Sequence, residues 1–173
     1  CVDLATGRWI KFVFQDDLIH PECIHKLLAA ATESDLIVGC RRKLLFADVS
    51  AATQRSIEHY LEHHSIETIY PDSKRIAADD FCRIALNKPG INFVGEPTAV
   101  IVRRDAFVRF GRFNPRFVQL CDFECWARIA SNTGLVYVNE ELATFRLHSK
   151  CTSMTNARDR AFRTRELERL VLF

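Results

Sequence analysis

The 173-residue sequence has no apolar run approaching the ~18–20 residues that a membrane-spanning helix needs, and no secretory leader is recognisable at its start. It also lacks a strong charge of either sign. Its 24 Lys and Arg stand against 22 Asp and Glu, a formal net charge of +2. A dedicated nucleic-acid binder is ordinarily far more basic on one face, so no nucleic-acid partner is expected. The Cys-x-x-Cys spacing is absent, and the seven cysteines (1, 23, 40, 82, 121, 125 and 151) are odd in number, several of them inside apolar runs. That pattern reads as buried free thiols in a reducing cytoplasm and not as a disulfide framework. Internal repeats and low-complexity linkers are absent too. The chain therefore reads as one domain, residues 1–153, with a charged C-terminal helix over 154–173.

What is present is ordinary for a globular protein with a sizeable core: 48% hydrophobic and 27% charged residues. The sequence opens on Cys1 and reaches a central-looking strand almost at once, which reads as a fragment or a processed product.

The apolar pattern predicts a strand over 9–14, a helix from Pro21 to about Glu33, and a strand from Asp35 to about Phe46 that passes through the basic patch Arg41-Arg42-Lys43. A helix follows from Ser50 to His64, then a looser stretch with a turn at Pro71-Asp72-Ser73. A third helix spans Arg75 to Leu86 and stops at Asn87-Lys-Pro-Gly90. Thr98 to Val102 is a β-branched strand, 105–110 a short helix ending at Gly111, and Asp122 to Ser131 a further helix. Two short strands, Leu135–Val138 and Leu142–Arg146, precede the terminal helix from Met154. Strand–helix–strand order of this kind predicts an α/β fold.

Chemistry concentrates where strands end. Asp16 and Asp17 lie just past the first strand, the position at which ligands bind in open α/β sheets. Two adjacent acids repel unless a cation lies between them or one is protonated; a solvated turn or an N-cap for the following helix is the plainer alternative. Asp122-Phe-Glu124 opens a later helix, Arg103-Arg104 follows another strand, and Arg146-Leu-His148-Ser-Lys150 follows the last. Acids with a hard divalent cation bind phosphates, a separate acid can serve as general base, and Arg or His can neutralise a phosphate leaving group.

Four blocks in order resemble the glycosyltransferases of family 2, which have the GT-A nucleotide-sugar fold. They are Ala5-Thr-Gly-Arg-Trp-Ile-Lys-Phe-Val-Phe-Gln-Asp-Asp-Leu-Ile-His-Pro21, Gly95-Glu-Pro-Thr-Ala-Val-Ile-Val-Arg-Arg-Asp-Ala-Phe107 with Gly111-Arg-Phe-Asn114, Asp122-Phe-Glu-Cys-Trp-Ala-Arg128, and Phe145-Arg-Leu-His148 with Ser153. The resemblance implies an α/β, incomplete GT-A mixed sheet flanked by helices. It implies that Asp17 ligands a divalent metal, Mn or Mg, and that Asp16 contacts the metal shell or the ribose. Arg146 and His148 would lie near the diphosphate or metal, Asp122 would be the general base, and Trp126 and Arg128 would hold its helix. The implied reaction is an inverting sugar transfer from a nucleotide sugar, UDP-linked, to a carbohydrate or lipid-linked acceptor of unknown identity, carried out in the cytoplasm or at the inner face of the membrane.

The sequence departs from that pattern in three places. Phe14 stands where many members have a further acid, and Cys121 stands where an acid usually precedes the base. Nothing corresponds to the first βαβ units that hold the nucleotide. The expectation is that these 173 residues alone neither bind UDP tightly nor turn over, and that an unpartnered sheet edge favours homo-oligomers. A non-catalytic remnant or binding module of the same fold is the alternative. A rival of another class is His59-Tyr-Leu-Glu62-His63, the His-x-x-Glu-His spacing of a zinc hydrolase, set against an ordinary solvated helix face. In the last helix Arg158, Arg160, Arg163, Arg165 and Arg169 suggest peripheral membrane contact, but Asp159, Glu166 and Glu168 interleave and favour packing, with Asp159–Arg163 an i, i+4 pair.

Overall fold

In the computed structural model, which describes residues 2–71, 74–158 and 162–172, a curled mixed sheet is flanked by helices. In chain order the elements are β1 (Trp9–Lys11), β2 (Leu18–Ile19), α1 (Cys23–Ala30), β3 (Ile37–Ala47), α2 (Ala51–His64), α3 (Ile66–Ile69), β4 (Arg75–Ile76), α4 (Ala78–Asn87), β5 (Val100–Arg103), α5 (Arg104–Phe110), α6 (Cys121–Thr133), β6 (Leu135–His148), α7 (Thr152–Arg158) and α8 (Phe162–Arg169). The strands run β1-β5-β3-β6-β2, with β4 also on β6. Strands β3 and β6 are parallel neighbours; every other pair is antiparallel. Among the described residues β1 pairs with β5 alone, which leaves its other side without a strand.

Alternation along the central strands explains why both faces are covered. Ile37, Val100, Val102, Leu135 and Tyr137 face a core closed by α4 and α6. Val38, Cys40, Ile101 and Val136 face a smaller one closed by Cys23 and Leu27 of α1. The larger core is aromatic: Phe93 meets Phe81 at 5.1 Å and Phe123 at 5.4 Å, and Phe113 meets Trp126 edge-on at 5.6 Å. Of these, Phe81, Phe93, Phe123 and Trp126 are fully buried, each contributing roughly 1.5–3 kcal/mol.

Several expected boundaries move, each for a physical reason. The first strand stops at Lys11 because β5 is preceded by a tight turn at Pro97–Ala99 and offers no ladder to Phe12 and beyond; Val13 and Phe14 are each 48% exposed. Arg75 and Ile76 are strand, not the first turn of a helix, because they pair with Val136 and Leu135; α4 begins at Ala78. The two short strands near the end are one continuous β6, which stays on β3 by shifting register at Cys40–Arg42. Gly134, at φ +79, makes the α6–β6 corner possible: a Cβ there would lie 2.6 Å from the Ile76 carbonyl.

In the expected C-terminal helix the described helical stretches are α7 and α8. The side chains of Arg158, Arg160, Arg163 and Arg165, the Asp159–Arg163 pair, Ser153, Asp72 and Ser73 of the expected turn, and Cys1 lie outside the described residues. The six described cysteines are all free, four of them buried. No described helix is long and apolar enough to cross a membrane.

Candidate functional site

The chain after β1 turns sharply, closed by the Asp17 amide on the Phe14 carbonyl at 3.2 Å. That turn separates the two adjacent acids. Asp17 points inward and is 6% exposed. Its Oδ2 accepts the Thr98 hydroxyl at 2.5 Å, and its Oδ1 accepts the Arg146 backbone N–H at 3.1 Å. Asp16 points outward, where its Oδ2 lies 3.1 Å from His148 Nε2. The two carboxyl groups thus diverge from adjacent positions. Beneath them the Lys11 ammonium donates to the Thr98 carbonyl and, at 3.2 Å, to that of Val100; burial pushes its pKa down.

Asp122 sits in the first turn of α6. Its Oδ1 accepts the Phe123 amide at 2.7 Å, and its Oδ2 accepts Asn92 Nδ2 at 3.0 Å. The same Asn92 clamps Gly95, donating to its carbonyl at 3.0 Å and accepting its N–H at 2.9 Å. Burial, with the neighbouring Glu96 charge adding to it, pushes the Asp122 carboxyl up to about 7. Glu96 is paired with Arg42, Nε to Oε2 at 2.9 Å, and the Arg42 side chain is only 8% exposed. Gly95 is required beside them: its φ is +115 and a Cβ would meet Arg42 Nη1 at 2.7 Å.

The helix carrying Asp122 is held from three directions. Trp126, fully buried, donates its indole N–H to the Gly95 carbonyl at 3.1 Å. Arg128 pairs with Glu124 and donates to the carbonyls of Phe110, Gly111 and Arg112, so it caps the end of α5. From α8, the buried Glu168 accepts the backbone N–H groups of Val118, Gln119 and Leu120, at 2.6, 3.0 and 2.9 Å. The C-terminal segment is thus packed against the start of α6 and is not a separate appendage.

One four-residue segment joins the two acids. Gly95-Glu96-Pro97-Thr98 is tied to Asp122 through Asn92 at one end and to Asp17 through Thr98 at the other. A cavity of about 440 Å³ opens beside Asp122, between β3, α2 and the C-terminal half of β6. Phe145 and Leu147 line it, on either side of Arg146, whose Nε is buried without a hydrogen-bond partner. A larger depression of about 840 Å³, between α1 and the start of β6, contains none of the candidate residues.

Asp16, Asp17, Arg146 and His148 are therefore brought together, and Asp122 is linked to them through the 95–98 segment. Sequence reading missed Arg42, Asn92, Glu96, Thr98 and Glu168. Glu96 and Thr98 lay within a recognised block, and Arg42 within a recognised basic patch. What the sequence did not show is that a register shift on β3 turns Arg42 toward Glu96. The rival set also converges: the ligand atoms of His59, Glu62 and His63 lie within 4.8 Å of one another, the only such group of three among the described residues. All three are exposed on α2, and His63 Nδ1 lies 2.8 Å from the His59 carbonyl of its own helix.

No family model matches the sequence. The chain is similar to an uncharacterized protein, MT1568, of Mycobacterium tuberculosis (strain CDC 1551 / Oshkosh), with 25% identity over 155 residues. That match takes in 90% of this chain and 47% of the relative, so the chain spans about half the length of the curated relative it matches.

Proposed function

We propose that the protein is a glycosyltransferase of the GT-A, family-2 type, transferring a sugar with inversion from a nucleotide sugar, UDP-linked, to a hydroxyl acceptor. The observation that supports this most is the tie between Asp17 and Asp122 through the Gly95–Thr98 segment. It sets a polar strand-end cluster suited to a diphosphate next to a carboxyl group suited to a base. Asp122 takes the proton of the acceptor hydroxyl as that oxygen bonds to the anomeric carbon, and the bond from that carbon to the nucleoside diphosphate breaks with the electron pair leaving on phosphate. A base with a pKa of about 7 is matched to work near neutral pH. Arg146 and His148 offset the charge that develops on the leaving group.

In this reading Asp16 and His148 would hold Mn or Mg, offering a carboxylate oxygen and an imidazole nitrogen. Asp16 Oδ2 and His148 Nε2 stand 3.1 Å apart, close to the ~2.9 Å between adjacent ligands of an octahedral ion with bonds of about 2.1 Å. Asp17, held inward by Thr98 and the Arg146 N–H, does not close a three-residue cluster with Asp16 and His148 and instead fixes the turn that carries Asp16. Bound there, the ion would neutralise charge on the leaving diphosphate. The zinc-hydrolase reading is favoured by the convergence of His59, Glu62 and His63 alone; all three face solvent. Calorimetric titration of UDP with Mn into the complete gene product tests the main reading. Micromolar binding that is lost in Asp16→Asn is expected, and equal affinity in the two proteins would refute the assignment.

A further inference from the structure

The cavity beside Asp122 has a composition that sugar transfer as such does not require. Its volume of about 440 Å³ lies within the range of small-molecule sites, roughly 300–1,000 Å³. Its charged groups are gathered at one place: Glu96 pairs with Arg42, and its charge acts on Asp122. Much of the remaining wall is apolar, formed by Ile57 and Leu61 one turn apart on α2, with Phe145 and Leu147 on β6. An acceptor that is polar along its whole length would leave hydroxyl groups unpaired against that wall, which disfavours its binding.

The polar groups are themselves selective. Arg42 and Glu96 offset one another's charge at 2.9 Å, but the approach is not aligned as a hydrogen bond. Arg42 Nε, Glu96 Oε2 and, on the same cavity wall, Gln119 Nε2 are buried without hydrogen-bond partners. With the Arg42–Glu96 pair closed on itself, the cavity offers neutral donors and acceptors such as Asn92, Gln119 and Thr53; a hydroxyl, which both donates and accepts, suits such a set, whereas an anionic head would be opposed by ionised Asp122.

Resting on the transferase reading, we propose that this cavity takes an uncharged acceptor whose hydroxyl-bearing head carries an alkyl or aryl body. The head is seated among Asp122, Glu96 and Arg42, and the body lies along Ile57, Leu61 and Phe145.

The test is calorimetric titration of the complete gene product with hexyl and methyl β-D-glucopyranoside, the same pair in the galacto configuration, and hexyl β-D-glucuronide. In at least one configuration the hexyl glycoside is expected to bind tenfold or more tightly than the methyl one, and tenfold or more tightly than the glucuronide. Leu61→Asp should abolish the hexyl preference, and so should Ile57→Ser, a milder change should the first variant fail to fold. Equal binding of hexyl and methyl glycosides in both configurations overturns the proposal, as does a glucuronide that binds as tightly as the glucoside. UDP titrated into the same samples separates the two readings. UDP binding without a hexyl preference removes this inference alone, and a hexyl preference without UDP binding removes the transferase reading while the ligand class stands.

Discussion

Thr98 donates its hydroxyl to Asp17 Oδ2 at 2.5 Å, across 81 residues of sequence. Both groups are almost fully buried, so the bond fixes the inward acid of the Asp16-Asp17 pair and, through the Gly95–Thr98 segment, sets its position relative to Asp122. Thr98→Val keeps the shape and removes the donor. It should lower stability by about 1–3 kcal/mol, the cost of leaving a buried acceptor unpaired, while Thr98→Ser should retain most of it. Urea unfolding of the three proteins measures this, and a Val variant as stable as wild type would show that the bond has no structural weight.

Asp122 makes stability depend on pH in an unusual direction. Its folded carboxyl titrates near 7, whereas an unfolded aspartate titrates near 4. Between those values the folded state binds more protons, so stability is full below about pH 4 and falls as pH rises toward 7. The limiting slope for one group is about 1.4 kcal/mol per pH unit. Asp122→Asn should remove this loss, which is read as the difference between the two proteins' unfolding free energies at pH 4.5 and 7.5. A difference that does not change with pH would contradict the environment described for Asp122.

Glu168 holds the loop that leads into α6. Its carboxyl oxygens accept three consecutive backbone N–H groups in a site only 5% exposed. Glu168→Ala should cost about 1.5–3 kcal/mol in unfolding free energy, and Glu168→Gln, which keeps one acceptor, should cost less. Hydrogen exchange at Val118, Gln119 and Leu120 should quicken in the Ala variant, and unchanged exchange there would argue against the clamp.

The histidine cluster on α2 separates the two chemistries. If the strand-end acids carry the reaction, His59→Ala should leave nucleotide-sugar turnover within about twofold of wild type, the scale of a surface change away from the site. Stoichiometric zinc in the purified protein, lost together with activity in His59→Ala, would favour the hydrolase reading.

The mixed α/β class and most helices were legible because their apolar spacing is regular, as in α1 with Leu27 buried and α6 with Trp126 and Ile129 buried. Boundaries were not legible where tertiary pairing overrides local pattern. Arg75 and Ile76 carry a helical spacing but are drawn into β6's ladder, and Phe12 to Phe14 look like strand but find no partner. At the site, Asp16 and Asp17 were read from their place past the first strand and Asp122 from the start of a helix, whereas Arg146 and His148, expected at and past the end of a strand, lie within β6. Arg42, Asn92 and Glu168 could not be read, because each acts through a partner distant in the chain, and Glu168 reaches its amides across about 50 residues.

The most direct test of the central claim is turnover of radiolabelled UDP-sugars by the complete gene product, comparing wild type with Asp17→Asn and Asp122→Asn at neutral pH. Transfer or hydrolysis by wild type is expected, reduced about a hundredfold or more in Asp122→Asn, the scale on which removing a general base acts, and at least tenfold in Asp17→Asn. Variants that turn over as fast as wild type would contradict the assignment of both acids.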